Sequence, residues 1–346
     1  MRAAVLRNSK LVVDDFEDLH PTSSQVLVKP LACGICGSDL HFVNHGQELL
    51  DQGKLLEASL SGPAQMDLTL ENDVFMGHEF ACEVIELGPD ATGLKEGDIV
   101  VSVPVLISGS KISQLAYSNE FPGGFSDQML LSAPLAIKVP NSLSPLEAAM
   151  CEPLAVGVHA VGISGADTNF GAVVMGCGPV GLAVISAAKA SGIHPILASD
   201  YSPLRRELAI KMGADEAIDP NEESIFNSWR KIAASRKVAV FEAVGIPGMI
   251  DSAMKEAPLG TRIVVVGVCM QTDHIMPFAG IAKELEIRFA FAYMPHEFAN
   301  SLNLLAEGKV KMAEAITKSV TLDELPDAFA DLASPMELGK LIVTPS

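Results

Sequence analysis

The feature that most narrows the fold is Gly176-Cys177-Gly178-Pro179-Val180-Gly181, set between an apolar run and a helical one. A GxGxxG pattern alone carries little information. Here it follows Gly171-Ala172-Val173-Val174-Met175, which reads as a buried strand, and it opens a helical stretch from Leu182 to Ser191. A second strand-like run, 195–199, ends at Asp200, 19 residues beyond Gly181. That order of strand, glycine turn, helix, strand and acid describes a βαβ unit that holds a dinucleotide. Gly176 permits the tight turn, Gly178 lets the backbone approach a pyrophosphate, and Gly181 lets the helix pack close. The amino end of the helix, with Pro179 and Val180, stabilises the phosphate charge. Asp200 is placed to accept from both ribose hydroxyls, which favours NAD and repels a 2′-phosphate. Arg205 and Arg206 stand nearby, and an arginine there is how such sites admit NADP. The alternative without a ligand is a tight strand-to-helix turn.

Around this unit the chain changes texture twice. Up to about Pro140 it reads as short strands separated by turns, starting with a hairpin of 2–6 and 11–13 across Arg7-Asn8-Ser9-Lys10. Half-buried strands follow at 25–31 and 82–88, and a turn-then-strand unit at 97–101, the pattern of a barrel-like β domain. From about Pro145, helices alternate with apolar strands. A helix over 203–212 ends at Gly213, and later strands read at 238–242, 261–267 and 286–293. Such alternation predicts a parallel sheet covered by helices, with right-handed crossovers. The tail returns to the first texture, with helices over 298–305 and 322–332 and a closing strand at 341–343. With 346 residues there is material for two cores. The expected division is 1–148, then a nucleotide domain 149–293, then 294–346 completing the first domain.

A second constellation points to a metal. Cys36-Gly37-Ser38-Asp39-Leu40-His41, Gly77-His78-Glu79 and Cys151-Glu152-Pro153 offer thiolate, imidazole and carboxylate on separate loops. Zinc takes these ligand types, and a catalytic zinc keeps three protein ligands and one open position. Scattered single ligands can wall a pocket around that position. Cys33-Gly34-Ile35-Cys36 taken alone also reads as a redox pair, half of a zinc knuckle, or buried structural cysteine. No second close cysteine pair exists, which argues against the knuckle, and the pair follows a strand-like run where a redox pair opens a helix.

Composition excludes several functions. A net charge of -19 repels nucleic acid and anionic membrane surfaces, so a small molecule is the expected partner. Six irregularly spaced cysteines do not form a disulfide framework, and reduced thiols fit a cytoplasmic chain. No run of about 18 uncharged apolar residues suggests a membrane span, and the N-terminus lacks the order of a signal peptide. Within 46–76, Leu49, Leu50, Leu55, Leu56 and Leu60 could make amphipathic turns, while six acids stand against Lys54 alone. The segment reads either as a solvated insertion or as a lid over a pocket.

Together these residues resemble the zinc-dependent medium-chain dehydrogenases, in the branch of alcohol, polyol, butanediol and threonine dehydrogenases. The resemblance rests on 34–41, Gly77-His78-Glu79, Gly97-Asp98-Ile99-Val100, Glu152-Pro153-Leu154-Ala155-Val156, the glycine loop and Gly339-Lys340-Leu341-Ile342-Val343. It implies an α/β fold, with a Rossmann doubly wound parallel sheet inserted into a mainly-β GroES-like catalytic domain. It also implies Cys36 and His78 as zinc ligands, with Glu152 at the third position; Glu152-Pro153-Leu154 favours this carboxylate over the adjacent Cys151. Glu79 corresponds to a carboxylate that in some members binds or approaches the metal. Asp39 matches the acid that fixes the tautomer of the ligating histidine. Ser38 and His41 match a relay that carries the alcohol's proton outward, while zinc favours its loss and hydride passes to the nicotinamide.

Two departures stand out. The family's second, structural zinc uses four closely spaced cysteines after the Gly97-Asp98 turn, and no cysteine lies between Cys82 and Cys151. One catalytic zinc per chain is therefore expected. The segment 46–76 is longer than the family leads one to expect. The resemblance implies interconversion of a secondary alcohol or vicinal diol and its ketone, and the leucines of 46–76 favour a moderately hydrophobic secondary alcohol over a sugar alcohol, with a polyol or sugar-alcohol or threonine-type dehydrogenase as the alternative. Rival readings are a zinc-independent quinone or enone reductase and a non-catalytic nucleotide-binding protein. The apolar strands 261–267 and 286–293 suggest a homodimer or homotetramer joined through the nucleotide domain.

Overall fold

The computed structural model describes residues 1–57, 68–233, 236–332 and 338–345, and divides into two compact units. One comprises Met1–Glu152, Lys318–Ser334 and Leu341–Ser346; the other comprises Pro153–Thr317 and Pro335–Lys340. In the chain, the second unit interrupts the first. The second boundary differs: 294–317, read as part of the tail, belongs with the nucleotide unit. Its helix Pro295–Ala306 buries Phe298, Leu302 and Leu305, an apolar stripe at helical spacing. Texture alone did not reveal which core that stripe joins.

The nucleotide unit is built on six parallel strands. Their spatial order is Glu216–Ile218, Ile196–Ser199, Phe170–Met175, Lys237–Glu242, Arg262–Val265 and Glu286–Phe289. The first strand in the chain is central and the order reverses beside it, which defines a doubly wound sheet whose ligand crevice lies at the strands' carboxyl ends. Every residue of Phe170–Met175 is buried, as a strand covered on both faces requires. Trp229 is fully buried with Phe226, Val173, Val240 and Ile263 in the core on one face. A Cβ on Gly171 would meet the Trp229 ring at 2.4 Å, so glycine there admits the indole. Helix Pro203–Met212 begins with Ser202 accepting from Arg205 N and ends at Gly213 in the left-handed region, φ 117°.

The other unit is mainly β. Its larger sheet runs Ala136–Lys138, Ile99–Ser102, Glu79–Leu87, Gln25–Gly34, Lys340–Val343 and Ile316–Val320, with Met129–Ser132 also on Gln25–Gly34. A smaller sheet holds the expected hairpin, Arg2–Arg7 paired with Lys10–Asp15, and Asn8 and Ser9 take positive φ to close it. After Gly34 the chain enters a long helical stretch, Gly37–Glu57, kinked at His45. The amphipathic turns expected after Gly46 are therefore the second half of that stretch. Leu50 is buried and Leu49 partly so. Leu60 and the side chains of Leu55 and Leu56 lie outside the described residues, as does the centre of the expected lid.

Pro145–Ser164 has the length and apolarity of a membrane span, but 61% of its most apolar window is buried inside the fold. It comprises two successive helices, Pro145–Ala149 and Cys151–Ser164, the first capped by a reciprocal Ser144–Glu147 pair. These are core helices.

Candidate active site

Strand register assembles the metal-ligand candidates. Gln25–Gly34 pairs with Glu79–Leu87 so that Gly34 faces Glu79 and Cys33 faces Phe80. The residues just beyond the first strand therefore meet those at the start of the second. Cys36 is fixed there by Asp39, whose Oδ2 accepts Cys36 N–H at 2.9 Å and whose N–H donates to Cys36 O at 3.1 Å. On the other side, Gly77 takes φ 92°, and a Cβ there would lie 2.7 Å from Phe125 N, so the tight entry to His78 demands glycine. The result is a cluster in which one ligand atom each of Cys36, His78 and Glu79 lies within 4.8 Å of the others.

Glu152 is buried in the first turn of Cys151–Ser164, and it does not join that group. The carboxylate brought in is Glu79, which the resemblance gave a secondary place. His78 and Glu79 are buried and Cys36 is partly exposed. Burial pulls the His78 pKa down, but Asp39 and Cys36 outweigh it and hold the imidazole well above its ordinary value. A thiol and two carboxylates around one imidazole call for positive charge, and soft and hard donors together suit zinc. His78 Nδ1 lies 3.4 Å from Asp39 Oδ1, in ion-pair range though without an aligned hydrogen bond. The residues fit the metal the sequence implies.

Cys33 does not form a redox pair with Cys36. It lies wholly buried in its strand, and burial, with Asp39 and Glu79 adding to it, pushes its thiol well up. A reactive cysteine needs the opposite shift. All six cysteines are free thiols.

Ser38 and His41 lie one turn apart at the start of Gly37–Glu57. His41 is half-buried, and its pKa is lowered first by burial and then by the neighbouring His45. The reading of the sequence missed Tyr117. Its hydroxyl lies 3.0 Å from both Ser38 Oγ and Asp39 Oδ1, and its ring packs 4.7 Å from that of Phe42. No short-range signal marks it, since it reaches the site from a loop some eighty positions away.

The glycine loop has the expected form. Gly176 turns at φ 93°, and a Cβ on Gly181 would sit 1.9 Å from Gly176 O. Gly178 caps helix Pro179–Ala190 without a side-chain hydrogen bond. The nearest atom a Cβ at Gly178 would meet is Arg205 Nη1 at 4.0 Å, which leaves open space before the amides. Gly178, Pro179 and Val180 are partly exposed, as a phosphate cradle must be. Asp200 accepts Cys177 N–H and Ser202 N–H, each at 2.8 Å. Arg206 donates to the carbonyls of Asp200 and Tyr201 and pairs with Asp219 at 3.0 Å, while Arg205 Nε donates to Leu338 O. The loop fits a dinucleotide.

Residues 22–141 match the alcohol dehydrogenase GroES-like domain, and 179–307 match the zinc-binding dehydrogenase domain. The chain is 30% identical to (R,R)-butanediol dehydrogenase of Bacillus subtilis, covering 100% of both. It is 29% identical to sorbitol dehydrogenase of the same organism over 95% of this chain and 92% of that one. The crystal structure of 2R,3R-butanediol dehydrogenase from Bacillus subtilis superposes with TM-score 0.84 at 28% identity, covering 100% of this chain and 99% of that one. A putative zinc-binding dehydrogenase from Sinorhizobium meliloti, bound to NADP, gives TM-score 0.83 at 25% identity, covering 99% of each chain. The chain belongs to the zinc-dependent medium-chain dehydrogenases, oxidoreductases that act on CH–OH groups with a nicotinamide cofactor.

Proposed function

We propose that this enzyme interconverts a secondary alcohol or vicinal diol and its ketone, with NAD as the partner in hydride exchange. The observation that carries the reading is the cluster of Cys36, His78 and Glu79 at the meeting of two strand ends. Cys36, His78 and Glu79 would hold one zinc per chain, with Glu152 a further carboxylate for the same centre. When bound, zinc acts as a Lewis acid that favours loss of the alcohol's proton, and the nicotinamide exchanges hydride with the carbon.

The chain's own groups do the rest. Asp39 holds Cys36 through its backbone and faces His78, fixing two ligands at once. Ser38 accepts the proton that leaves the substrate as it gives up its own, and His41, one turn on and held toward its neutral form by its lowered pKa, passes a proton outward through the nicotinamide ribose. Gly176, Gly178 and Gly181, with Pro179 and Val180, hold the pyrophosphate. Asp200 accepts from the ribose hydroxyls. Arg205 stands over the loop, where its charge favours the phosphates. Arg206 is engaged with carbonyls and Asp219, which supports NAD over NADP.

The butanediol dehydrogenase relatives favour a small diol or secondary alcohol. A polyol reading draws support from the sorbitol dehydrogenase relative. We read the protein as a cytoplasmic homodimer or homotetramer. Its free thiols favour a reducing compartment. The edge strand Glu286–Phe289, with Phe289 72% and Phe291 91% exposed, favours pairing with a second copy.

Metal analysis together with NAD reduction across secondary alcohols, vicinal diols and polyols tests the reading. We expect one zinc per chain and turnover of the first two classes. Zinc-free protein that still turns over would overturn the metal assignment, and faster turnover of sorbitol-like polyols would replace the substrate class.

A further inference from the structure

The stretch between Ile99–Ser102 and Met129–Ser132 is organised without cysteine. It contains the hairpin Val105–Ser108 with Lys111–Gln114, and its far end is stitched along the residues that lead into His78. Phe75 N–H donates to Ser118 O at 2.8 Å and Gly124 N–H to Gly77 O at 2.8 Å. Asn119 Nδ2 donates to Thr69 O and Asp73 O, and its Oδ1 accepts from Thr69 N, all at 2.9 Å. Within this clamp Tyr117 sits at φ 57°. A bulky side chain is strained in that region, and such strain is found mainly where function requires it. The strained backbone turns the phenol inward, onto Ser38 and Asp39.

The phenol has one proton and two neighbours at 3.0 Å. A carboxylate only accepts, so that proton goes to Asp39 Oδ1, and Ser38 Oγ–H donates in turn to the phenol oxygen. We infer that Tyr117 is a positioning residue of the metal centre. It fixes the Asp39 carboxylate that faces His78 and sets the rotor of Ser38 so that the serine presents lone pairs. A chain Ser38 → Tyr117 → Asp39 then leads to His78, with Asp39 Oδ2 holding Cys36. The phenol acts on two proposed ligands through one carboxylate without touching the metal. This inference rests on the reading of Cys36, His78 and Glu79 as the zinc site.

Chelator competition on full-length, zinc-loaded protein tests it. Groups that orient metal ligands typically change affinity by about 10–100-fold, and Tyr117→Phe should weaken zinc binding by that factor. Asp39→Asn should do the same, and the double variant should lose less than about twofold beyond Asp39→Asn, because the phenol acts through that carboxylate. Ser38→Ala should lower turnover and leave zinc affinity unchanged. Wild-type affinity in Tyr117→Phe, or losses that multiply with Asp39→Asn, would overturn the inference. If Tyr117→Phe does not fold, Ser38→Ala and Asp39→Asn carry the test: equal losses of zinc in the two sink it, and a loss in Asp39→Asn alone supports it. Cys36→Ser separates the two levels. If it keeps its zinc, the site reading itself fails; if it loses zinc while Tyr117→Phe does not, only the positioning role fails.

Discussion

The Asp200 carboxylate accepts the backbone N–H of Cys177 at 2.8 Å, although 23 positions separate them. The acid proposed to bind the ribose is thereby tied to the loop proposed to bind the phosphates.

Replacing Asp200 should therefore cost more than a ribose contact. Asp200→Ala removes the repulsion of a 2′-phosphate and loosens the loop at Cys177. We expect NAD to bind less well, by about 1–3 kcal/mol for the lost charged hydrogen bonds, and the preference for NAD over NADP to narrow. Steady-state kinetics with both cofactors measure this. A wild-type enzyme that works better with NADP would mean that Arg205 or Arg206 sets the choice.

Cys36→Ala and His78→Ala should lose zinc and turnover together while NAD binding persists, since the cofactor loop belongs to the other unit. Metal analysis and cofactor fluorescence on the same samples report both. Wild-type activity in either variant would show that the ligands lie elsewhere.

Between the two carboxylates, Glu79 is the one within reach of Cys36 and His78. Glu79→Gln should weaken zinc binding in substrate-free protein more than Glu152→Gln does, again on the scale of about 10–100-fold. The reverse order in a chelator titration would restore Glu152 as the resting ligand.

The pH dependence of turnover should carry the mark of His41. Its pKa is lowered from 6.5, so the neutral, proton-accepting form persists below that pH and activity falls only on further acidification. His45→Asn removes the electrostatic neighbour that helps lower the His41 pKa, and should move this acidic limb to higher pH. Profiles of kcat against pH for the two proteins give the answer, and an unmoved limb would assign it to another group.

Phe291→Glu should shift the assembly toward smaller species, because an exposed apolar edge becomes charged. Light scattering at micromolar concentration reads the mass directly. A monomeric wild-type protein would remove the basis for this assembly.

Much of this was legible in the chain. The buried run at 171–175, the glycines that follow and the turn at Gly213 are local signals, set by strand covering and by positive φ. Cys36, His78 and Glu79 stood in recognisable sequence, yet their grouping depends on the register that sets Gly34 against Glu79. Register is a pairing property, and no local signal around Glu79 shows that its strand brings it to Cys36 and His78. Tyr117 was invisible for a different reason. Its role depends on a positive φ in a residue type that rarely adopts one, and on a clamp formed by segments distant in the chain. The helix 295–306 misled because amphipathic spacing says that a face is buried and nothing about which sheet buries it.

The cysteine inventory has a practical consequence. Cys33, Cys82, Cys151 and Cys177 are buried, and only Cys36 and Cys269 are partly exposed. A thiol-specific label applied to native protein therefore has two targets, and one of them is a proposed zinc ligand. Loaded protein should take up one label per chain and stripped protein two, the second at Cys36. Counting labels by mass would then report metal occupancy molecule by molecule, with no substrate in hand.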